Sequence, residues 1–169
     1  CDGLMLIAQR KHGKSLEYKW EFPGGKLEAG ETLEECLKRE LMEEMKLEIF
    51  VRDHFVDTSY DYDFGTIVLH SFWATCKSKD IPVVLEHEQY RWINPKDLPQ
   101  YDFAPADKPI IEAIFGRLYF FNSSSISDKN LTAEAGGVSL PSKKAWIKTF
   151  FNPFSEASFI NAFKWSSEL

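Results

Sequence analysis

Glu40, Glu43 and Glu44 stand three and four residues apart in a chain of 169 residues. On a helix that spacing places the three carboxylates on one face, and each like-charge pair on an exposed helix costs about 0.2–0.5 kcal/mol. They fall toward the C-terminal end of the helix predicted below, where the dipole also opposes negative charge. A bound cation reverses both penalties. Carboxylates are hard ligands suited to Mg2+ or Mn2+, which bind a few of them and leave other positions to water or phosphate oxygens. Arg39, inside the cluster, could steady it or meet a phosphate oxygen. Glutamates on a helix more often form a solvated face, so the surrounding sequence has to decide.

The elements that must position these groups are legible on both sides. Leu4 to Ala8 is a short apolar run after Asp2-Gly3 and predicts a strand leaving a turn. Phe22-Pro23-Gly24-Gly25-Lys26 predicts a loop, because proline lacks an amide hydrogen and glycine permits unusual backbone angles. Thr32-Leu33-Glu34-Glu35 has the form of a capping box, and Leu33, Leu37 and Leu41 give the helix that follows one apolar stripe. Glu31, Glu34 and Glu35 suit the positive end of its dipole. Strands are predicted over 49–55, 66–75 and 89–93, with a second helix over 109–121. The mixture is α/β (α+β).

Composition narrows the function. A net charge of −6 argues against coating a nucleic acid polymer, while 44% hydrophobic residues suit one compact domain. Three cysteines without ligand spacing suggest neither a disulfide framework nor a zinc site, and no run is apolar enough to span a membrane. The expected setting is cytoplasmic, the expected partner a small anion arriving with its metal. From Asn122 the texture turns Ser-rich, dividing the chain into a domain over 1–121 and, over 122–169, a linker with an aromatic extension that includes Trp146, Phe150, Phe151, Phe159 and Phe163.

From Gly25 the chain reads GKLEAGETLEECLKRELMEEMKL, which resembles the Nudix box. Gly25, Glu31, Arg39, Glu40, Leu41, Glu43, Glu44 and Leu47 fall in register with the family pattern. Lys46 stands where the family has glycine, a position at the helix end that commonly needs a left-handed backbone. Trp20-Glu21-Phe22-Pro23-Gly24-Gly25-Lys26 and Leu6-Ile7-Ala8-Gln9-Arg10 are similar to the approach to the box in MutT-like nucleoside triphosphate pyrophosphohydrolases. Phe103 to Pro109 resembles the base-recognition segment of that subgroup. Relatives usually carry one more strand before the position of Cys1, so the first strand is missing from the resemblance, and the aromatic tail is a candidate to cover an exposed sheet edge or apolar face.

The resemblance implies a Nudix fold, with a mixed sheet between helices, and a Mg2+-dependent diphosphatase (Mn2+ as substitute) that splits a nucleoside triphosphate into monophosphate and diphosphate. It assigns the metal to Glu40, Glu43, Glu44 and the Gly24 carbonyl, with Glu43, Glu44 and Arg39 in catalysis. Glu86 resembles the further carboxylate that activates water, and Glu88 is its competitor. Arg10 is expected at phosphate, since a guanidinium matches phosphate geometry. Phe22 or Trp20 could stack on the base, with burial in the core the equal alternative for each. Asp107, when ionised, only accepts hydrogen bonds and so favours an amino-bearing base. Its segment resembles CTP pyrophosphohydrolase-like members, which points to CTP, dCTP or a modified pyrimidine relative. An 8-oxo-dGTP diphosphatase and a catalytically silent binding module are the alternatives.

Overall fold

The computed structural model describes residues 3–81, 83, 85–123 and 144–151. Among these residues seven strands form two sheets. Strand β1 (Met5–Arg10) lies between β2 (Trp20–Glu21) and β6 (His87–Ile93), antiparallel to both. The second sheet has the order β3 (Gly24–Lys26), β7 (Lys144–Phe151), β5 (Gly65–Cys76), β4 (Ile49–Tyr62). It is mixed, because β7 runs parallel to β5 and antiparallel to β3.

Two helices cover the strands on opposite sides, as the alternation of side chains requires. Met5 and Ile7 of β1 join Leu69 and Trp73 of β5 in one core, closed by Ile110 and Ile114 of α2 (Lys108–Ser123). Leu6 and Ala8 point the other way, joining Phe72 and Ala74 against Cys36, Leu37, Leu41 and Met45 of α1 (Leu33–Met45). Strand β1 is therefore apolar at consecutive positions because both of its faces are buried. The result is the α+β arrangement that the pattern predicted. Among the described residues no helix is long and apolar enough to cross a membrane.

Helix α1 begins where its capping box requires. The Thr32 hydroxyl accepts from the Glu35 amide at 3.2 Å and Glu35 accepts from the Thr32 amide at 2.9 Å, satisfying two of the unpaired donors of a helix start. It ends at Lys46, which is left-handed (φ 53°), its amide donating to the Leu41 and Met42 carbonyls. A side chain in that region costs about 1–2 kcal/mol. Lys46→Gly should accordingly raise stability by about 0.5–1 kcal/mol, after the entropy that glycine adds to the unfolded chain. Equilibrium denaturation tests this; an unchanged or lower midpoint would remove the strain argument.

Several boundaries differ from expectation. The hairpin of β4 and β5 extends to Tyr62 and back from Gly65, because cross-strand pairing continues past the hydrophobic run that marks the strand in sequence. Part of the expected glycine loop is strand β3, paired with β7. Asn122 and Ser123 belong to α2, while 124–143 and 152–169 lie outside the described residues, Phe159 and Phe163 with them.

Candidate active site

The helix face carrying the glutamates opens on a cavity of about 230 Å³ lined by Arg10, Lys14, Glu21, Gly24, Gly25, Lys26, Glu40, Glu44, Glu86, His87 and Lys148. Glu40 and Glu44 are one helical turn apart and share its wall. Glu40 is held by the Lys26 amide (3.1 Å) and by Arg39 (3.1 Å). Its carboxyl carbon lies 2.0 Å from where a Cβ on Gly25 would sit, so only glycine at 25 leaves room for this carboxylate.

Glu44 is more deeply placed. Its Oε2 is buried without a hydrogen-bond partner, as is His87 Nδ1, 3.8 Å away. Burial pushes the Glu44 carboxyl up to about 7, opposed by His87 and reinforced by Glu40.

Glu43 departs from the expected set of three carboxylates. Its side chain is 62% exposed, does not line the cavity, and pairs with Arg39 at 3.3 Å. Arg39, one turn before it, draws Glu43 aside, while Glu40 and Glu44 face the cavity. Arg39 is committed as well: it binds both oxygens of Glu31 (2.8 and 3.1 Å) and the Lys26 carbonyl (3.2 Å). The guanidinium holds Glu31 down at about 2. Of the two roles open to Arg39 in the sequence, these contacts favour steadying the cluster, tying α1 to β3.

Glu86, not Glu88, lines the cavity. The Leu85 amide donates to the Glu44 carbonyl at 3.1 Å, which seats the loop on the end of α1, and Lys14 pairs with the Glu86 carboxylate. This pairing holds Glu86 below the usual carboxylate range.

A second cavity of about 210 Å³ adjoins the first, lined by Arg10, Ser15, Leu16, Glu21, Tyr62, Phe64, Ile67, Leu69, Ala104, Ala106, Asp107 and Lys148. Tyr62 and Phe64 stack here with ring centroids 5.0 Å apart and planes at 8°. Asp107 reaches it because the chain after Asp102 runs beside β2, with hydrogen bonds from the Trp20 amide to Asp102 and from the Ala104 amide to Trp20. One Asp107 oxygen accepts the Phe22 amide at 3.0 Å. Burial pushes this carboxyl up to about 6, opposed by the Lys148 ammonium.

Neither Phe22 nor Trp20 offers a face to a base. Phe22 is fully buried against Phe103, and Trp20 is buried against Tyr101. The stacking role expected for them is corrected: sequence marks an aromatic residue, but only the strand pairing shows that these two turn inward. Tyr62 and Phe64 are the aromatic residues at the cavity.

Glu21 joins the two cavities. It receives Arg10 (3.1 Å to each oxygen), Lys148 (2.9 Å) and His87 (3.2 Å). Burial alone would raise its pKa, but Lys148, His87 and Arg10 outweigh it and hold the carboxylate well below its usual range. Arg10 lines both cavities, its guanidinium also donating to the Ser15 carbonyl at 2.7 Å. Sequence reasoning missed Glu21 and Lys148; Glu21 stood in the quoted approach to the box, and Lys148 had no local signal.

The donor set fits a divalent cation. Glu40, Glu44, Glu86 and the Gly24 backbone bring only hard oxygens, and the unpartnered Glu44 Oε2 faces a place where positive charge is needed. Among the described residues no three acidic, His or Cys groups are drawn together tightly enough to hold a metal by themselves. Mg2+ commonly binds through one or two carboxylates and takes its other ligands from water and substrate phosphates.

Residues 1–114 match the NUDIX domain, and the chain belongs to the Nudix family of hydrolases, which act on phosphoanhydride bonds with the aid of divalent metal ions. It is 35% identical over 112 residues to the CTP pyrophosphohydrolase of Escherichia coli (strain K12), covering 66% of this chain and 82% of that protein. It is 33% identical over 107 residues to the 8-oxo-dGTP diphosphatase of the same strain, covering 63% and 82%. Among solved structures, the E. coli ORF135 protein superposes with a TM-score of 0.60 at 32% identity, over 73% of this chain and 87% of that one. MutT from methicillin-resistant Staphylococcus aureus 252 gives 0.54 at 38%, over 69% and 89%.

Proposed function

We propose that the protein is a Mg2+-dependent nucleoside triphosphate pyrophosphohydrolase that releases a nucleoside monophosphate and diphosphate, with CTP, dCTP or a modified pyrimidine relative as substrate. The observation that carries this is the pair of adjoining cavities: one walled by Glu40, Glu44 and Glu86, the other by an aromatic stack and a buried acceptor, with Arg10, Glu21 and Lys148 common to both. A nucleotide laid across them places its phosphates at the acidic wall and its base beside Asp107.

Glu40 and Glu44, with the Gly24 backbone oxygen, would hold Mg2+ or Mn2+, which when bound would neutralise charge on the phosphate oxygens and lower the pKa of an attacking water. Glu43 would have to turn in from its exposed position to join them. Glu86 is the carboxylate placed to accept a proton from water, once an incoming phosphate competes for Lys14. Catalysis here is positioning and electrostatics, with no covalent protein intermediate.

Asp107 supports an amino-bearing base, since a carboxylate when ionised only accepts hydrogen bonds and, among the described residues, the Phe22 amide is the donor it already receives. Asp107→Asn should move preference from cytosine toward bases that present an acceptor, changing the ratio of kcat/KM between CTP and oxidised-guanine triphosphates by about tenfold or more, the size of one buried hydrogen bond gained or lost. An unchanged ratio would remove the case for cytosine. The second possibility, 8-oxo-dGTP, is favoured by the relatives that carry that name. A panel of nucleotides with and without Mg2+ decides between them. Monophosphate and diphosphate in equal amounts are expected, none of either in chelator; release of orthophosphate would overturn the assigned bond.

A further inference from the structure

Strand β7 lies beyond the residues that match the family, yet it is inserted between β3 and β5 rather than added at a sheet edge. In its register Lys148 pairs with Gly24 on one side and Ser71 on the other. The Lys148 side chain is buried, and its ammonium donates to Glu21 Oε2 and to the Phe22 carbonyl, both at 2.9 Å. Glu21 and Phe22 form the corner between the two cavities. On one side of this corner the Phe22 amide holds Asp107; on the other the chain enters β3, whose Lys26 amide holds Glu40.

We infer that Lys148 is a positioning residue of the active site: from the C-terminal strand it pins the Glu21–Phe22 corner, and so sets the base-side carboxylate and the cation-side strand in one register. The inference rests on the proposed function for its kinetic readout. Physically, a buried ammonium makes charge-assisted, directional hydrogen bonds to its two acceptors on this corner, and a lysine could not be buried there without them. Removing the ammonium leaves Glu21, among the described residues, with Arg10 and His87, and takes the Lys148 bond from the Phe22 carbonyl, so that the amide holding Asp107 can shift.

The test is kinetic and uses the full chain. Lys148→Met, of similar length, should lower kcat by about 10- to 100-fold, the scale of a misplaced catalytic constellation, and bring the ratio of kcat/KM between the preferred triphosphate and its competitors toward one. A smaller folded fraction scales every substrate alike and cannot change that ratio. Lys148→Arg, which keeps the charge and the donors, should restore most of the discrimination. If Lys148→Met fails to fold, the double variant Glu21→Gln with Lys148→Met removes the stranded carboxylate, and it too should fold yet lack discrimination. Wild-type selectivity and turnover in either Met-containing variant would overturn the inference while leaving the proposed function intact. Absence of triphosphate hydrolysis by the wild type would instead overturn the function; in that case the inference is read from stability, where Glu21→Gln should suppress the loss caused by Lys148→Met, and independent, additive effects would refute it.

Discussion

Glu44→Gln is expected to lower turnover by about two to four orders of magnitude and, in the presence of chelator near pH 8, to make the protein more stable. The two effects share one cause. Glu44 stands at the cavity wall with Oε2 buried and unpartnered, so its charge serves a bound cation and is a liability without one. Its carboxyl is pushed up to about 7 from an ordinary value of 4.5, which means that folding favours the neutral form. The stability from this group is therefore fully present below about pH 4.5 and is lost as pH rises through about 7. Glutamine does not ionise, so the variant's advantage grows across that window, on the order of 3 kcal/mol. Denaturation midpoints of the two proteins between pH 4.5 and 8, in chelator, measure the difference. Parallel curves would show that Glu44 is not the strained group inferred here.

Gly25→Ala is expected to lower kcat by about 100-fold or more, the scale of losing one preorganised electrostatic contact, with a small loss of stability. A methyl group at 25 would meet the Glu40 carboxylate at 2.0–2.4 Å, and that carboxylate is the far end of a flexible side chain. It can swing away, so the fold tolerates the change. The carboxylate then leaves the Lys26 amide and the cavity wall together. Steady-state kinetics with a thermal unfolding scan separates the effects. A large drop in melting temperature would show that glycine is needed by the backbone instead, and unaltered kcat would show that Glu40 is not needed where it lies.

Helix α1 was readable because its signals are local: the Thr32–Glu35 box and the stripe of Leu33, Leu37 and Leu41 act within a few residues, whereas its end at Lys46 rested on the resemblance to the Nudix box. The Nudix box placed the acidic wall for the same reason. Which carboxylates face inward was not readable, since 3.6 residues per turn puts Glu40, Glu43 and Glu44 on one face but does not say that Arg39 draws Glu43 aside. Phe22 and Trp20 looked available because inward and outward aromatic residues are identical in sequence; their burial depends on the segment at 102–106 running beside β2. Lys148 was the hardest to foresee. Its partner Glu21 is 127 residues away, and nothing local distinguishes a lysine that will be buried in a central strand from one on the surface.

The claim that everything else depends on is that Glu40 and Glu44 hold a divalent ion against the phosphates of a nucleotide. Its most direct measurement is Mn2+ binding by electron paramagnetic resonance, in the presence of a non-hydrolysable triphosphate, for the wild type and for Glu40→Gln and Glu44→Gln. Each substitution should weaken the bound-ion signal by at least about tenfold, as expected when a charged ligand becomes neutral, in a protein that remains folded. Equal Mn2+ affinity in all three proteins would contradict the account.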